Sequence, residues 1–530
     1  MSGTRLIRGA RQVMARLPLP RFARVPDAPT QPVRDPWPGD ITLGARLLKG
    51  ELAFGGGVMP LRPGEWNSLT GTAALLTNAH GFTWLRHLRA LGTDPARLLA
   101  RALVGEWIAA PPSDAITRRP DVAGARITAW LGHYDFFAAT ADDPFRQKLM
   151  ARLVADARSL AAALPADDLD SRALTAFKGL IAAAVALPEH NGFLSRALKF
   201  LPREVARQVL ADGCHVERGP GTQLAALQDM TEIRALLQAG QTQPPPVLAQ
   251  TIERMAPVLR AMRHGDGGLA LFNGGGEETS GLIDLVLSQA GRGSRAPSAT
   301  NEGGFQRLQA GRTVLIIDAG APPPPELDRL AHAGTLSMEV SVGRDRMIVN
   351  VGAFPAGGQH WHDAARATAA HSTLVIGDTN SSELKPIGLG RRPVNVKAQR
   401  QEANGAHWLE VEHDGWLKPF GAIHRRRLYL SESGEDIRGE DVIEAAAPQP
   451  FTLRFHLHPS VQVTPQADGA SVLMRLRAGG SWILRADGAG MTLEESIYLG
   501  SGEARPAMQV VLTGHADGPQ HVKWAIHRAG

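Results

Sequence analysis

Thr313-Val314-Leu315-Ile316-Ile317-Asp318 decides how the second half of this chain folds. It is of strand length, rich in β-branched residues, and set between Gly311-Arg312 and Ala319-Gly320. That combination specifies an extended, well-buried segment. Similar segments follow downstream: Thr335 to Val342, Met347 to Val351, Ser372 to Ile376, Val394 to Arg400, Arg426 to Leu430 and Thr452 to Leu457. Ser471 to Leu476, Ser481 to Arg485, Gln509 to Thr513 and Val522 to Ile526 carry the texture to the C-terminus. Short strands with no clear helix between them predict a sandwich of two large antiparallel sheets.

Upstream, a Gly/Ser/Arg/Pro linker from Gly291 to Ser298 separates this half from a different pattern. Between Leu43 and Leu287 apolar residues recur at three and four, which predicts helices joined by short loops. The spacing places helices over Phe82–Leu91, Asp94–Ile108, Asp143–Leu164, Ser171–Leu187, Gln223–Gln238 and, after Pro244-Pro245-Pro246, Leu248–Arg263. Asp94 and Asp143 are expected N-caps, with Pro95 and Pro144 at the first helical position, where a missing N–H costs nothing. Serial helix pairs of similar length fit a bundle or an α/α toroid. The chain is thus an α+β multidomain protein: a basic segment over residues 1–35, a helical domain over 36–290 and a β-sandwich over 291–530.

The 530 residues supply ample core, and a 43% hydrophobic, 21% charged composition is that of a globular protein. No apolar run reaches the ~20 residues of a membrane span, so integral membrane association is not expected. One cysteine, Cys214, excludes an intramolecular disulfide. The net charge is +5, with Arg5, Arg8, Arg11, Arg16, Arg21 and Arg24 near the N-terminus. Such a face suits an anionic partner, and equally a solvated surface. Because arginines interrupt its apolar residues, this N-terminus is not read as a secretory signal, and the expected compartment is the cytoplasm.

No phosphate loop, nucleophile elbow or paired-cysteine zinc motif is present, and Asn273-Gly274-Gly275-Gly276 reads as a loop. The tetraproline Pro322 to Pro325 reads as a rigid connector. Histidines stand out among the 18 in the chain where they fall at strand ends: His332, His371, His413 in a His-Asp-Gly-Trp turn, and His456 with His458. Two residues apart on a strand, His456 and His458 would share a face and approach one ligand. In the helical half, Trp130-Leu131-Gly132-His133-Tyr134 places aromatic faces beside a His-Tyr pair, either a sugar platform or core packing. Asn191 at a helix junction and the polar loop from Asp212 to Gly221 are of the kind on which sites are built.

Taken together, Asp212-Gly213 with Glu217-Arg218-Gly219-Pro220, His332-Ala333-Gly334-Thr335-Leu336-Ser337-Met338-Glu339, and Ala370-His371-Ser372-Thr373-Leu374 resemble the heparinase II/III family. The likeness extends from about Asp35 to the C-terminus and is strongest over Phe305 to Asp378. It implies an α/α toroid followed by an antiparallel β-sandwich. It also implies a polysaccharide lyase that cleaves an anionic, uronic-acid-containing glycan by β-elimination in a cleft between the domains. Such chemistry needs a neutraliser for the carboxylate, a base and an acid. The resemblance places catalytic roles on Asn191 and His371 and a substrate-side role on Glu217; with no tyrosine at the family position, Tyr134 and His133 are the expected substitutes as acid and base, and Arg218, Trp130 and His413 are the further expected substrate contacts. One structural zinc would be held by His332, Asn350 and His371.

The match departs from the family pattern where its chemistry is densest. The histidine after the family asparagine is Gly192, the tyrosine-histidine pair is Thr222-Gln223, the first zinc histidine is Leu330, and the aspartates are Gly334 and Asn350. A threonine hydroxyl is far too weakly acidic to stand in for a phenol. A second reading therefore follows, a non-catalytic glycan-binding or structural protein that retains the lyase fold. Nucleic-acid binding rests on arginine count alone and is not expected. Family lyases generally work in the periplasm, the alternative compartment, and the sequence leaves the oligomeric state open.

Overall fold

The computed structural model describes residues 25–166, 170–187, 192–291 and 295–529. The chain forms two compact units, one ending at Gln208 and regaining Ala226–Ile252, the other built from Val209–Ala225 and Glu253–Gly530. The basic arginines before residue 25 and Asn191 lie outside the described residues.

In the first unit the sequence pattern becomes helices at Ala73–Gly81, Leu85–Leu91, Asp94–Ala109, Pro120–Gly132, Asp143–Ala163, Arg172–Ala186 and Gly192–Gln208. The caps sit one residue earlier than expected. Thr93 accepts from Ala96 N and Asp142 from Phe145 N, which makes Asp94 and Asp143 first-turn acids favourable to the helix dipole. Pro120–Gly132 and Arg172–Ala186 approach closely because Gly124 and Gly179 face one another, where a Cβ would collide with backbone. Trp66, Phe82, Trp84, Trp107 and Trp130 form one buried aromatic stack. Arg126 lies over the Trp107 ring at 4.3 Å and is paired with Asp156 at 2.9 Å, both buried. A hairpin not anticipated from sequence, β1 (Glu51–Phe54) and β2 (Gly57–Pro60), turns through Gly55 and Gly56, both at positive φ as a tight hairpin turn requires.

The second unit carries β3 (Phe305–Ala310), β4 (Thr313–Asp318), β5 (Met338–Val342), β6 (Asp345–Val349), β7 (Leu374–Ile376), β8 (Val396–Ala403), β9 (Ala406–Trp416) and β10 (Ala422–Leu430). It continues with β11 (Asp436–Glu444), β12 (Gln449–Leu457), β13 (Gln462–Pro465), β14 (Ser471–Arg475), β15 (Ser481–Asp487), β16 (Gly490–Tyr498), β17 (Arg505–Ala516) and β18 (Pro519–Arg528). One antiparallel sheet runs β13-β14-β15-β18-β11-β10-β9-β8, the other β16-β17-β12-β6-β5-β4-β3 with β7 paired to β12. Their inner faces share one core, in which Leu315, Val340, Leu453 and Val510 meet Val411, Ile437, Leu484 and Trp524. β4 is buried along its whole length because its other face, Val314 and Ile316, packs on Cys214, Val258, Met262 and Phe272. That double burial is why it reads as a continuous apolar run and not as an alternation. Burial pushes the Cys214 thiol up to about 12, leaving it protonated and inert.

Three expectations change. β9, β11 and β16 were hidden by charged outward residues, and the His413–Trp416 segment read as a turn is the end of β9. The β half does contain a helix, Gly358–Arg366, whose glycine-rich start masked it. His458 falls beyond the end of β12, so it and His456 have separate partners: Ser496 and Ala369 for His456, Ser460 for His458.

Candidate functional site

Within the second unit, loops between strands bring His332 and His371 together. His332 Nδ1 lies 3.0 Å from His371 Nε2, and His371 Nδ1 lies 2.8 Å from the Ala367 carbonyl. A carbonyl only accepts, so neutral His371 carries its proton on Nδ1 and presents a lone pair at Nε2. His332 must then donate from Nδ1, which leaves its own Nε2 as an acceptor. Burial holds His371 down at about 4 and His332 well below the ordinary histidine range, so both rings are neutral at pH 7.

A residue that the sequence reading passed over fixes this pair. Asn273 accepts from the His332 backbone N–H at 3.0 Å and donates to the Arg218 carbonyl at 2.9 Å. Arg218 stands at φ 54, a left-handed conformation that costs about 1–3 kcal/mol and persists only where its surroundings hold it. They do so through the guanidinium, which donates to Gly303 O at 2.7 Å, to Ala321 O at 2.8 Å and to the Asp318 carboxylate. Leu336, also left-handed at φ 61, is fixed by Arg426, which donates to its carbonyl at 2.7 Å. The only sequence signal for Asn273 was its place before three glycines, where an asparagine tolerates positive φ.

Asn350 is near this pair but oriented away from metal chemistry. Its Oδ1 accepts from Ser372 N at 3.0 Å, its Nδ2 donates to Leu271 O at 3.2 Å, and its backbone N–H donates to Glu339 at 2.8 Å. Glu339 is itself engaged by His264 at 2.9 Å. A Cβ at Gly334, where the family aspartate is expected, would lie 2.7 Å from His371 Cδ2 and 3.1 Å from Nε2. The imidazole therefore occupies the space a carboxylate would need. Among the described residues no group of three or more His, Cys, Asp or Glu side chains is placed to hold a metal ion. The expected zinc set of His332, Asn350 and His371 does not fit the ion: it offers two imidazoles that hydrogen-bond to one another, His332 Nδ1 donating to His371 Nε2, and a neutral amide already occupied.

Other expected site residues are distributed differently. Trp130 is fully buried in the aromatic stack and His413 lies wholly inside the sandwich against Trp416 and His424. Neither ring has a face open to a polymer, which corrects their assignment as substrate contacts. His133 Nε2 sits 3.1 Å from Asp35, whose carboxylate also pairs with Arg86 at 3.0 Å. Burial lowers the His133 pKa in spite of that partner and raises that of the Tyr134 phenol. Glu217 is buried, and at the family's tyrosine-histidine position Gln223 donates to Gly213 O and Met255 O and accepts from His215 N. A second polar cluster also went unnoticed in the sequence: Tyr498 donates to Glu277, and His458 lies 3.6 Å from the same carboxylate. Glu277 is lowered to about 2, burial being outweighed by His458, Arg346 and the Tyr498 hydroxyl.

Residues 292–525 match the family described as Heparinase II/III-like, C-terminal. The chain is also 30% identical over 527 residues to FtsZ-localized protein C of Caulobacter vibrioides, covering 93% of this chain and 89% of that protein. This chain belongs to the heparinase II/III-like family. Among solved structures, heparinase III superposes with a TM-score of 0.70 at 15% identity over 86% of this chain and 78% of its own. A heparan sulfate lyase from Pedobacter heparinus gives 0.60 at 16% over 99% and 88%, and a chondroitin AC lyase from Streptomyces coelicolor 0.54 at 11% over 99% and 83%. At those identities the likeness is one of fold: the α/α toroid and antiparallel sandwich of polysaccharide lyases. Among the described residues of this heparinase II/III-like chain, no helix is long and apolar enough to cross a membrane.

Proposed function

We propose that this chain is a non-eliminating member of the lyase-fold family that acts together with FtsZ. One observation carries the reading: the family's catalytic phenol is absent, and the arginine of the same motif is committed to structure. Thr222 replaces the phenol, and the Arg218 guanidinium is spent on Asp318, Gly303 and Ala321. The relative matched over 93% of the chain, itself named for FtsZ localisation, supports the second half of the proposal. The expected compartment is then the cytoplasm, and the His332–His371 pair holds its loops through a hydrogen bond without zinc.

The direct test is the ultraviolet absorbance of an unsaturated uronate, followed with heparan-, hyaluronan-, chondroitin- and alginate-type polymers, alongside co-sedimentation of the full chain with purified FtsZ. No absorbance rise and recovery with FtsZ are expected. A steady rise on any polymer, abolished by His371→Ala, would overturn the first half. Failure to sediment with FtsZ polymers would overturn the second.

One observation favours the alternative, β-elimination on a uronic-acid polymer. The tautomers fixed by Ala367 leave His332 Nε2 as an acceptor, the state a general base requires. On that reading the absorbance assay is positive, and His332→Gln removes the signal while the chain keeps its fold.

A further inference from the structure

The outer face of the β8–β11, β13–β15 and β18 sheet carries a groove of 810 Å³ unrelated to the histidine pair. Strand register builds it row by row. Trp408 pairs with Tyr429, Tyr429 with Arg438, Arg438 with Ala525 and Ala525 with Arg485, so one line of side chains crosses five strands. At about 4.8 Å between strands the line is roughly 19 Å long. One end is aromatic: Trp408 is 42% exposed, its ring 5.2 Å from Tyr429 at a 48° tilt, with Arg438 stacked 5.7 Å over Tyr429. The other end is a notch. Ala525 forms its floor, and Arg438, Arg485, Lys523 and His527 are its nearest neighbours across and along the strands.

The charges in the notch are only partly neutralised. Arg438 is paired with Asp436 at 2.6 Å and Arg485 loosely with Asp468 at 3.4 Å, both on the surface. Lys523 has no ion pair among the described residues. The neighbouring row alternates in sign, from Glu410 to Arg427, Glu440, Lys523 and Asp487.

We infer that this face binds an acidic oligosaccharide, with one sugar ring on the Trp408–Tyr429 platform and a carboxylate or sulfate in the notch above Ala525. An open aromatic face takes the apolar face of a sugar ring. Alternating donors and acceptors match a chain of hydroxyls, and guanidinium and ammonium groups at the far end match an acid group. An acidic peptide fits less well: its carboxylates suit the basic groups of the notch, but it has no sugar ring to lay on the Trp408–Tyr429 platform. The inference concerns a surface remote in sequence from Arg218 and His332, and it holds whether or not the chain performs elimination.

The test is calorimetric binding of the full chain to heparin-, chondroitin sulfate- and hyaluronan-derived octasaccharides, with maltooctaose as neutral probe and polyglutamate as peptide probe. The expected result is measurable affinity for at least one acidic octasaccharide and none for maltooctaose. Trp408→Ala should weaken it about tenfold or more, the scale of one lost stacking contact. Ala525→Glu, which fills and inverts the notch from the solvent side without touching the core, should abolish it. No binding to any acidic octasaccharide overturns the proposal, as does equal binding of maltooctaose. Binding of polyglutamate with the same sensitivity to both variants would assign the groove to an acidic protein segment and overturn it too.

Discussion

Arg426 and Arg427 are neighbours in sequence on one strand and live on opposite faces of one sheet. Arg426 points inward and is wholly buried. It donates to Asp441 at 2.8 Å, to Leu336 O at 2.7 Å and to Ser372 O at 3.2 Å. Asp441 in turn accepts from His424 at 2.6 Å and from Trp524 at 2.9 Å. Arg427 points outward, 47% exposed, between Glu410 and Glu440. The period of two in a strand separates the faces, and the dielectric then decides what each arginine is for. Inside, a charge is tolerable only when paired and hydrogen-bonded, so the inner network ties β10 and β11 to the strained Leu336 loop. Outside, the same ion pairs are loose enough to exchange partners with a ligand.

The largest effect is expected from removing the inner counter-charge. Asp441 is held well below the usual carboxylate range, because the Arg426 charge and the His424 hydrogen bond outweigh its burial. Asp441→Ala would strand the Arg426 charge in the core and destabilise the second unit by about 3–5 kcal/mol. Denaturant unfolding of the full chain measures this. A loss below about 1 kcal/mol would show that Arg426 finds water or another partner, and the contrast between the faces would dissolve.

The second effect is a pH dependence confined to the interior. Burial lowers His371 to about 4 and His456 to about 3, against about 6.5 in an unfolded chain. Between those values the unfolded state binds the extra protons. Stability therefore rises with pH through this window, levels off above about 6.5, and is lost as pH falls toward 4. Each histidine adds a slope of up to about 1.4 kcal/mol per pH unit. Unfolding midpoints measured from pH 8 down to pH 4.5 should fall accordingly, and His371→Gln should remove about half of the share these two histidines contribute. A profile unchanged by that substitution would mean that His371 takes up its proton in the fold over the same pH range as in the unfolded chain.

This inner–outer division explains what the sequence disclosed. β4, buried on both faces, was legible to the residue, because a run of β-branched residues has no other economical home. β9 and β11 were missed because their outward residues are charged and diluted the alternation, although Leu409, Val411, Ile437 and Ile443 keep the period. His332 and His371 were singled out from strand ends, and they do meet. Their linker Asn273 and the Arg218 clamp were not legible in those roles, since a residue's hydrogen-bond partner 55 or 103 positions away leaves no local trace. The roles assigned to Trp130 and His413 did not survive because chemical type says what a ring can do, and only burial says whether a ligand can reach it.

The smallest expected effect completes the contrast. Arg427 bonds Glu410 at 2.6 Å and Glu440 at 3.0 Å, geometry as good as that of Arg426 with Asp441. By distance alone the two arginines are equals. Water, however, screens the outer pairs and solvates whichever partner is left, so nothing is stranded when one is removed. Arg427→Ala should change the unfolding free energy by no more than about 0.5 kcal/mol, and less in 1 M salt. A loss comparable to that of Asp441→Ala would mean that the outer rows act as a cooperative brace for the sheet. The groove would then owe its charge pattern to stability, and the acidic-oligosaccharide assignment would lose its motive.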